Sequence, residues 1–218
     1  MKTVKIIDNL YINENGVQSK LRNGKFQNVH FQQGTLDGAC AVYSCLMILI
    51  LIKAAKYSDI SSDSENNDKR FSIERLKKEL LDLKGMHRNG NHFYHKKEDN
   101  LKEMLERSFS KLVRVEHVDH DVVNRIRTEI EQNTPVLMSF SFSGGAHALV
   151  GIGVEYDDNG KSTKILCLDP AYPSPKFTYW NSVVDLETYR GKYKHRNFTE
   201  SGISQSVRLE DILVITKK

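Results

Sequence analysis

The stretch "LDGACAVYSCLMILILI", Leu36 to Ile52, decides how the rest of this sequence folds. It is apolar on nearly every face of a helix, so a helix here must be enclosed by other elements rather than lie on the surface. Ala39 to Ile52 is 14 residues and includes Tyr43 and Ser44, short of the roughly 18–20 apolar residues that cross a bilayer. A buried core helix is therefore expected, without membrane insertion. Asp37 can cap its start, Gly38 permits a tight turn and Ala39 leaves room beside Cys40. A thiol at a helix N-terminus sits where the dipole favours negative charge, which is where a nucleophilic thiolate is placed. Cys45, five residues deeper, is expected to be an inert core thiol. Taken alone, Cys40 reads as a small buried residue before it reads as a nucleophile, since free cysteine is among the most buried types.

Outward from this helix the chain divides in character. The first thirty residues alternate short β-type stretches, "TVKIIDNLYI" and "KFQNVHF", with Asn/Gly turns at Asn13 to Gly16 and at Asn23-Gly24, and predict a peripheral edge hairpin over 1–31. "YSDISSDSENNDKR" has little to bury and predicts a mobile loop over 57–70. Ile73, Leu76, Leu80 and Leu83 share one face of a short amphipathic helix that ends near Gly85, and a second helix is expected from about Glu98 to Phe109. Beyond it lie "KLVRVEHV" as a strand and "DHDVVNRIRTEIEQN" as an amphipathic helix. Then "PVLMSFSF", "HALVGIGVEY" and "KILCLDP" form three strands with turns at Gly144-Gly145 and Asp157 to Gly160, and "VRLEDILVITKK" makes a last strand. Helices followed by a mainly antiparallel sheet predict an α+β domain, with residues 1–218 as one unit.

Composition narrows the function classes. The 218 residues are 39% hydrophobic and 28% charged, typical of a globular protein. The net charge of +4 comes from 32 basic and 28 acidic residues that interleave along helix faces, which argues against a nucleic-acid groove. Three cysteines, Cys40, Cys45 and Cys167, are too few and too odd for a fully paired secreted framework. "MKTVKIIDNLYINENG" carries no signal-peptide pattern. A cytoplasmic location is expected, or delivery to another cell by a route without a signal peptide.

Cys40 gains meaning from "SGGAHALVGIGVEYDDNGKSTKILCLDPAY". His147 opens an apolar strand after a Gly-Gly turn, and Asp169 closes the next strand before Pro170. With a turn centred near Asp158, a hairpin sets the two side by side. An imidazole whose Nδ1–H is held by a carboxylate presents its other nitrogen to a thiol, the base-plus-orienter arrangement of nucleophilic catalysis. Gln33 is a candidate to donate, with the Cys40 backbone N–H, to the oxyanion of a tetrahedral intermediate. Each of these residues also has an ordinary structural reading, as a strand-end histidine, an Asp-Pro turn starter and a surface glutamine. Only their joint occurrence carries information.

In that order, a glutamine, Gly-x-Cys opening an apolar helix, "GGAHALVGIGVEYDD" and "ILCLDPAY", the sequence resembles the papain-like cysteine peptidase superfamily, nearest to bacterial peptidases similar to bacteriocin-leader processing (double-glycine) domains. The likeness runs in outline from Gln32 to Ala171 and in detail over Gly38 to Ser44 and Gly144 to Tyr172. It implies a papain-like α+β fold with a central buried helix on an antiparallel sheet. It also implies a hydrolase acting on a protein or peptide through an acyl-enzyme, with Cys40 as nucleophile, His147 as general base and acid, Asp169 as orienting acid and Gln33 as oxyanion donor. The family glutamine usually stands six residues before the cysteine, whereas Gln33 stands seven before Cys40. A bacterial effector or processing protease would fit. Related thiol acyl transfer, as in deamidases and transglutaminases, stays open, and so does an inactive binding module with the same frame.

Other signals are set aside. His87, His92 and His95 lack a metal-site pattern on any clear element, so no metal is expected and a polar substrate-facing or flexible loop is. The Gly-x-Gly of "GIGVEYDDNG" lies inside a strand and opens no helix, so no dinucleotide or other cofactor is expected. The aromatic residues of "DPAYPSPKFTYWN" are expected to cover the core more than to hold a peptide.

Overall fold

The computed structural model describes residues 2–34, 38–62, 71–83, 91–95 and 100–218. The Leu36–Ile52 stretch forms α1 over Cys40–Leu51, and every residue from Ala41 to Leu51 except Tyr43 is buried. A helix that is apolar all round satisfies its backbone internally and is stabilised by burial on every side. α1 ends in a hydrogen-bonded reversal in which Ala54 N–H donates to Leu49 O at 2.8 Å and Lys53 N–H to Ile50 O at 3.0 Å. Lys53 supplies the left-handed residue at φ +58°, the position that glycine usually takes.

Around α1 the later half of the chain builds the sheet. Strands β6 (Val136–Phe142), β7 (Gly145–Tyr156) and β8 (Ser162–Leu168) run as successive antiparallel hairpins. β9 (Ser182–Asp185), β10 (His195–Thr199) and β11 (Ser204–Lys217) complete it. β8 pairs β9, β9 pairs β10, β10 pairs β11 and β11 pairs β6, so the pairings return to their start. β5 (Val113–Val118) adds to the C-terminal half of β11. Every pairing is antiparallel, and α1 packs across β6 and β7. The architecture is α+β, with the central helix on an antiparallel sheet.

The other helices cover the flanks. α3 (Ser72–Lys77) continues into a π-type segment at Lys78–Leu83 and packs against α4 (Leu101–Phe109). Asn100 caps α4 by accepting from Glu103 N–H at 3.1 Å, so this helix opens at Leu101, where a start at about Glu98 is expected. The C-cap expected at Gly85 lies outside the described residues. α5 (Val122–Glu131) buries Ile126 and Ile130 against the sheet.

The N-terminal region is more than a hairpin. β1 (Thr3–Ile6) pairs with the far end of β7, from Gly153 to Tyr156, and so joins the large sheet. β2 (Leu10–Asn13), β3 (Gly16–Lys20) and β4 (Phe26–Asn28) form a separate three-stranded sheet. The start of the expected loop over 57–70 is likewise ordered, as α2 (Tyr57–Ser61). Two apolar anchors in a polar stretch account for this: Ile60 is buried, and the Tyr57 ring stacks on Phe31 at 4.6 Å. Residues 63–70 lie outside the described residues. β9 and β10, which pattern reading passes over, are short strands that alternate only weakly and borrow their order from β8 and β11.

Candidate active site

Cys40 is the first residue of α1 and is half-buried, while Ala39 before it and Ala41 after it are fully enclosed. The cap expected from Asp37 lies outside the described residues. Ser44, one turn further in, donates its hydroxyl to Ala148 O at 3.2 Å and ties the helix to β7 next to His147. The β6–β7 turn sets the position of that histidine. Phe142 pairs with Gly145, leaving a two-residue turn in which Gly144 takes φ +104°, a conformation L side chains rarely adopt. His147 then falls opposite Phe140, with the two rings 5.6 Å apart.

Asp169 follows the last residue of β8 and is 1% exposed. The hairpin joining it to His147 turns about Asn159, since Asp157 N–H donates to Lys161 O at 2.9 Å. This is one residue later than a turn centred near Asp158. Val150 pairs with Leu168, and the next step of the ladder sets Leu149 rather than His147 beside Asp169. His147 and Asp169 are thus diagonal neighbours on one face, within reach of long side chains. The nitrogen that meets the carboxylate is Nε2, 2.7 Å from Oδ1, where Nδ1 was expected. Nδ1 is left for the thiol.

Thiol, imidazole and carboxylate are therefore contiguous. Burial pushes the Cys40 thiol up, but hydrogen bonding and charge from His147, with the backbone amides of Ala148 and Ala41, outweigh it and hold the thiol below its ordinary value. Burial also works against a charged His147; the charge and hydrogen bond of Asp169, with a smaller contribution from Cys40, overcome it and hold the imidazole above its ordinary value. Both shifts favour a thiolate-imidazolium pair. The other two thiols go the opposite way: burial raises Cys45 to about 12, and burial followed by the charge of Asp169 raises Cys167.

Gln33 lies against the turn that follows Asp169, its backbone N–H donating to Pro170 O at 2.9 Å. Its Oε1 is buried with no hydrogen-bond partner among the described residues, and it is not among the residues lining the cavity over Cys40.

That cavity encloses about 310 Å³ between Cys40, His147 and Ala148 on one side and the segment Asn91 to Tyr94 on the other. His92 is thus a cleft residue, and His87 lies outside the described residues. Among the described residues no three histidine, cysteine, aspartate or glutamate side chains converge to hold a metal. The cleft also receives two carboxylates that sequence reading missed. A bulge in β11 between Leu209 and Ile212 sets Glu210 and Asp211 opposite β6, and bulges re-aim side chains in this way. Asp211 accepts from His117 Nε2 at 2.9 Å and from the Ser139 hydroxyl. Glu210 is bound by Arg208 at 2.7 Å and by the Ser141 hydroxyl. Nothing in "VRLEDILV" marks a bulge before pairing is known.

No protein-family model and no curated protein matches the sequence. Solved structures do. The chain is similar to UfSP from C. elegans at 17% identity and a TM-score of 0.41, over 99% of this chain and 34% of that one. It is also similar to a C39-like peptidase from Bacillus anthracis at 17% identity and a TM-score of 0.38, over 81% of this chain and 90% of that one. This chain therefore spans about a third of the length of the worm structure. Among the described residues no helix is long and apolar enough to cross a membrane.

Proposed function

We propose that this protein is a cysteine peptidase that hydrolyses peptide bonds through Cys40, His147 and Asp169. The observation that carries the reading is the contiguous row of thiol, imidazole and carboxylate, with the thiol held below and the imidazole above their ordinary values. A thiolate at the start of α1 attacks the peptide carbonyl carbon, forming a C–S bond while the carbonyl electrons move to oxygen. The Cys40 backbone N–H at the helix terminus is suited to donate to that oxyanion, with the Gln33 amide as the candidate second donor. His147 gives its proton to the departing amine as the C–N bond breaks and the acyl-enzyme forms. It then takes a proton from water, whose oxygen attacks the thioester; the C–S bond breaks, releasing the acid and restoring the Cys40 thiolate beside the charged imidazole. Asp169 holds the ring orientation and stabilises the imidazolium through both steps.

A peptide-library digest read by mass spectrometry tests the reading. The expected result is cleaved peptides with the wild type and none with Cys40→Ala. Intact peptides heavier by about one mass unit, or carrying a transferred group, would redirect the same thiol chemistry to deamidation or acyl transfer. No change in any peptide, together with no labelling of Cys40 by a thiol-reactive peptide electrophile, would leave a non-catalytic binding module.

A further inference from the structure

Asp169 is held from behind by two buried polar side chains that the catalytic steps do not use. Asn181, 2% exposed, immediately precedes β9. Its backbone N–H donates to Cys167 O at 3.1 Å, which brings its side chain to the point where the β8–β9 ladder would continue. There the amide takes the place of a further strand residue. Its Oδ1 accepts the Asp169 backbone N–H at 2.7 Å, and its Nδ2 donates to Asp169 O and to Pro173 O, each at 3.0 Å. Both backbone polar groups of Asp169 are thereby fixed by one side chain.

His30 completes the grip, with Nε2 3.1 Å from Asp169 O. A carbonyl only accepts, so this nitrogen carries the proton, and the Asn181 Nδ2 at 3.4 Å from it is a contact rather than a bond. Burial outweighs the Asp169 carbonyl and charge and holds the His30 imidazole below its ordinary value. On the other side, Ala171 N–H donates to Oδ1 at 2.8 Å, the same oxygen that meets His147. With the backbone held by Asn181 and His30 and one oxygen aimed by Ala171, the carboxylate has little freedom left to turn.

We propose that Asn181, supported by His30, is a positioning residue: it fixes Asp169 in the orientation that sets its carboxylate against His147 Nε2. The inference rests on the peptidase reading of Cys40, His147 and Asp169. Neither residue touches the thiol, so their effect must pass through Asp169.

The test is the pH profile of Cys40 alkylation by iodoacetamide, read by peptide mass spectrometry for all three cysteines of the full chain. His92, Tyr94, Glu210 and Asp211, the other titratable groups lining the cleft, are common to every variant. In the wild type the Cys40 inflexion is expected below the ordinary thiol value of about 8.5. In Asn181→Leu, similar in volume but without hydrogen bonds, it is expected to rise by about one unit, so that labelling at pH values below the wild-type inflexion slows about tenfold. Cys45 and Cys167 should stay unlabelled, which reports an intact core. An unshifted inflexion in folded Asn181→Leu overturns the proposal. If that variant exposes Cys45 and Cys167, the His30 pair decides: His30→Gln retains a donor and is expected to shift the profile less than His30→Leu, and equal profiles overturn the proposal. A wild-type profile with no low inflexion removes the thiolate itself and the proposal with it. A low inflexion that Asn181→Leu leaves in place removes only the positioning role.

Discussion

Cys40 and Cys45 stand on the same helix five residues apart, and their surroundings act on them in opposite senses. Cys45 is fully buried among apolar side chains with nothing to stabilise a charge, and its thiol is pushed up to about 12. Burial also raises the Cys40 thiol, yet the imidazole of His147 and two backbone amides outweigh it and lower the thiol below its ordinary value. The first turn of a helix is where backbone N–H groups lack intrahelical partners, and in α1 the Ala41 amide there is one of the groups that lower the Cys40 thiol. The direction in which each thiol is shifted therefore follows its position along one helix. Burial alone would make both sulfurs inert.

The contrast can be broken most severely at its reactive end. Cys40→Ala should abolish peptide hydrolysis, a loss of at least about ten-thousand-fold, with unfolding by denaturant close to that of the wild type. Next, His147→Ala should cost on the order of a thousandfold in kcat/KM and return the Cys40 alkylation inflexion to about 8.5. That change would make the first thiol resemble an ordinary one without moving it. The sign follows from the shifts: the pair is charged above the lowered Cys40 value and below the raised His147 value. The wild-type rate profile should thus show its acid limb below the free-thiol range and its alkaline limb above the free-imidazole range. Asp169→Asn should lower kcat/KM by roughly a hundredfold and bring the alkaline limb down, because the imidazolium loses its counter-charge.

The inert end should respond in stability rather than in rate. Cys45→Ala is expected to lower unfolding free energy by about 1–2 kcal/mol through the cavity it leaves, with alkylation of Cys40 unchanged. Ser44→Ala, which removes the hydroxyl that holds α1 to Ala148 O, should cost about 1 kcal/mol. A fall in Cys40 reactivity in Ser44→Ala would sharpen the comparison further, since it would make the helix-to-strand tie part of the site.

The helix, the three hairpin strands and the residues of the row were legible because each announces itself locally. α1 is a run too apolar to be anything but enclosed, β6 to β8 alternate or run apolar between glycine turns, and His147 and Asp169 sit at strand ends beside such turns. The register was misjudged by two residues, because loop length sets register and the turn at Asn159 was placed one residue early. The nitrogen facing Asp169 was misjudged with it, since a diagonal approach and a direct one present different edges of the ring.

Asn181, His30, Glu210 and Asp211 could not be found in this way. Each matters through a partner distant in sequence: Asn181 through Asp169, His30 through the Asp169 carbonyl 139 residues away, and the two acids through a bulge that exists only when β11 pairs with β6. By itself, the sequence determined which segments must be buried and which residue types stand ready for thiol chemistry, because hydropathy period and turn residues act over a few neighbours. The tertiary structure alone decided which nitrogen meets which oxygen, how the carboxylate is held and what lines the cleft. Those are matters of fractions of an ångström between strands, and pairing, not composition, sets them.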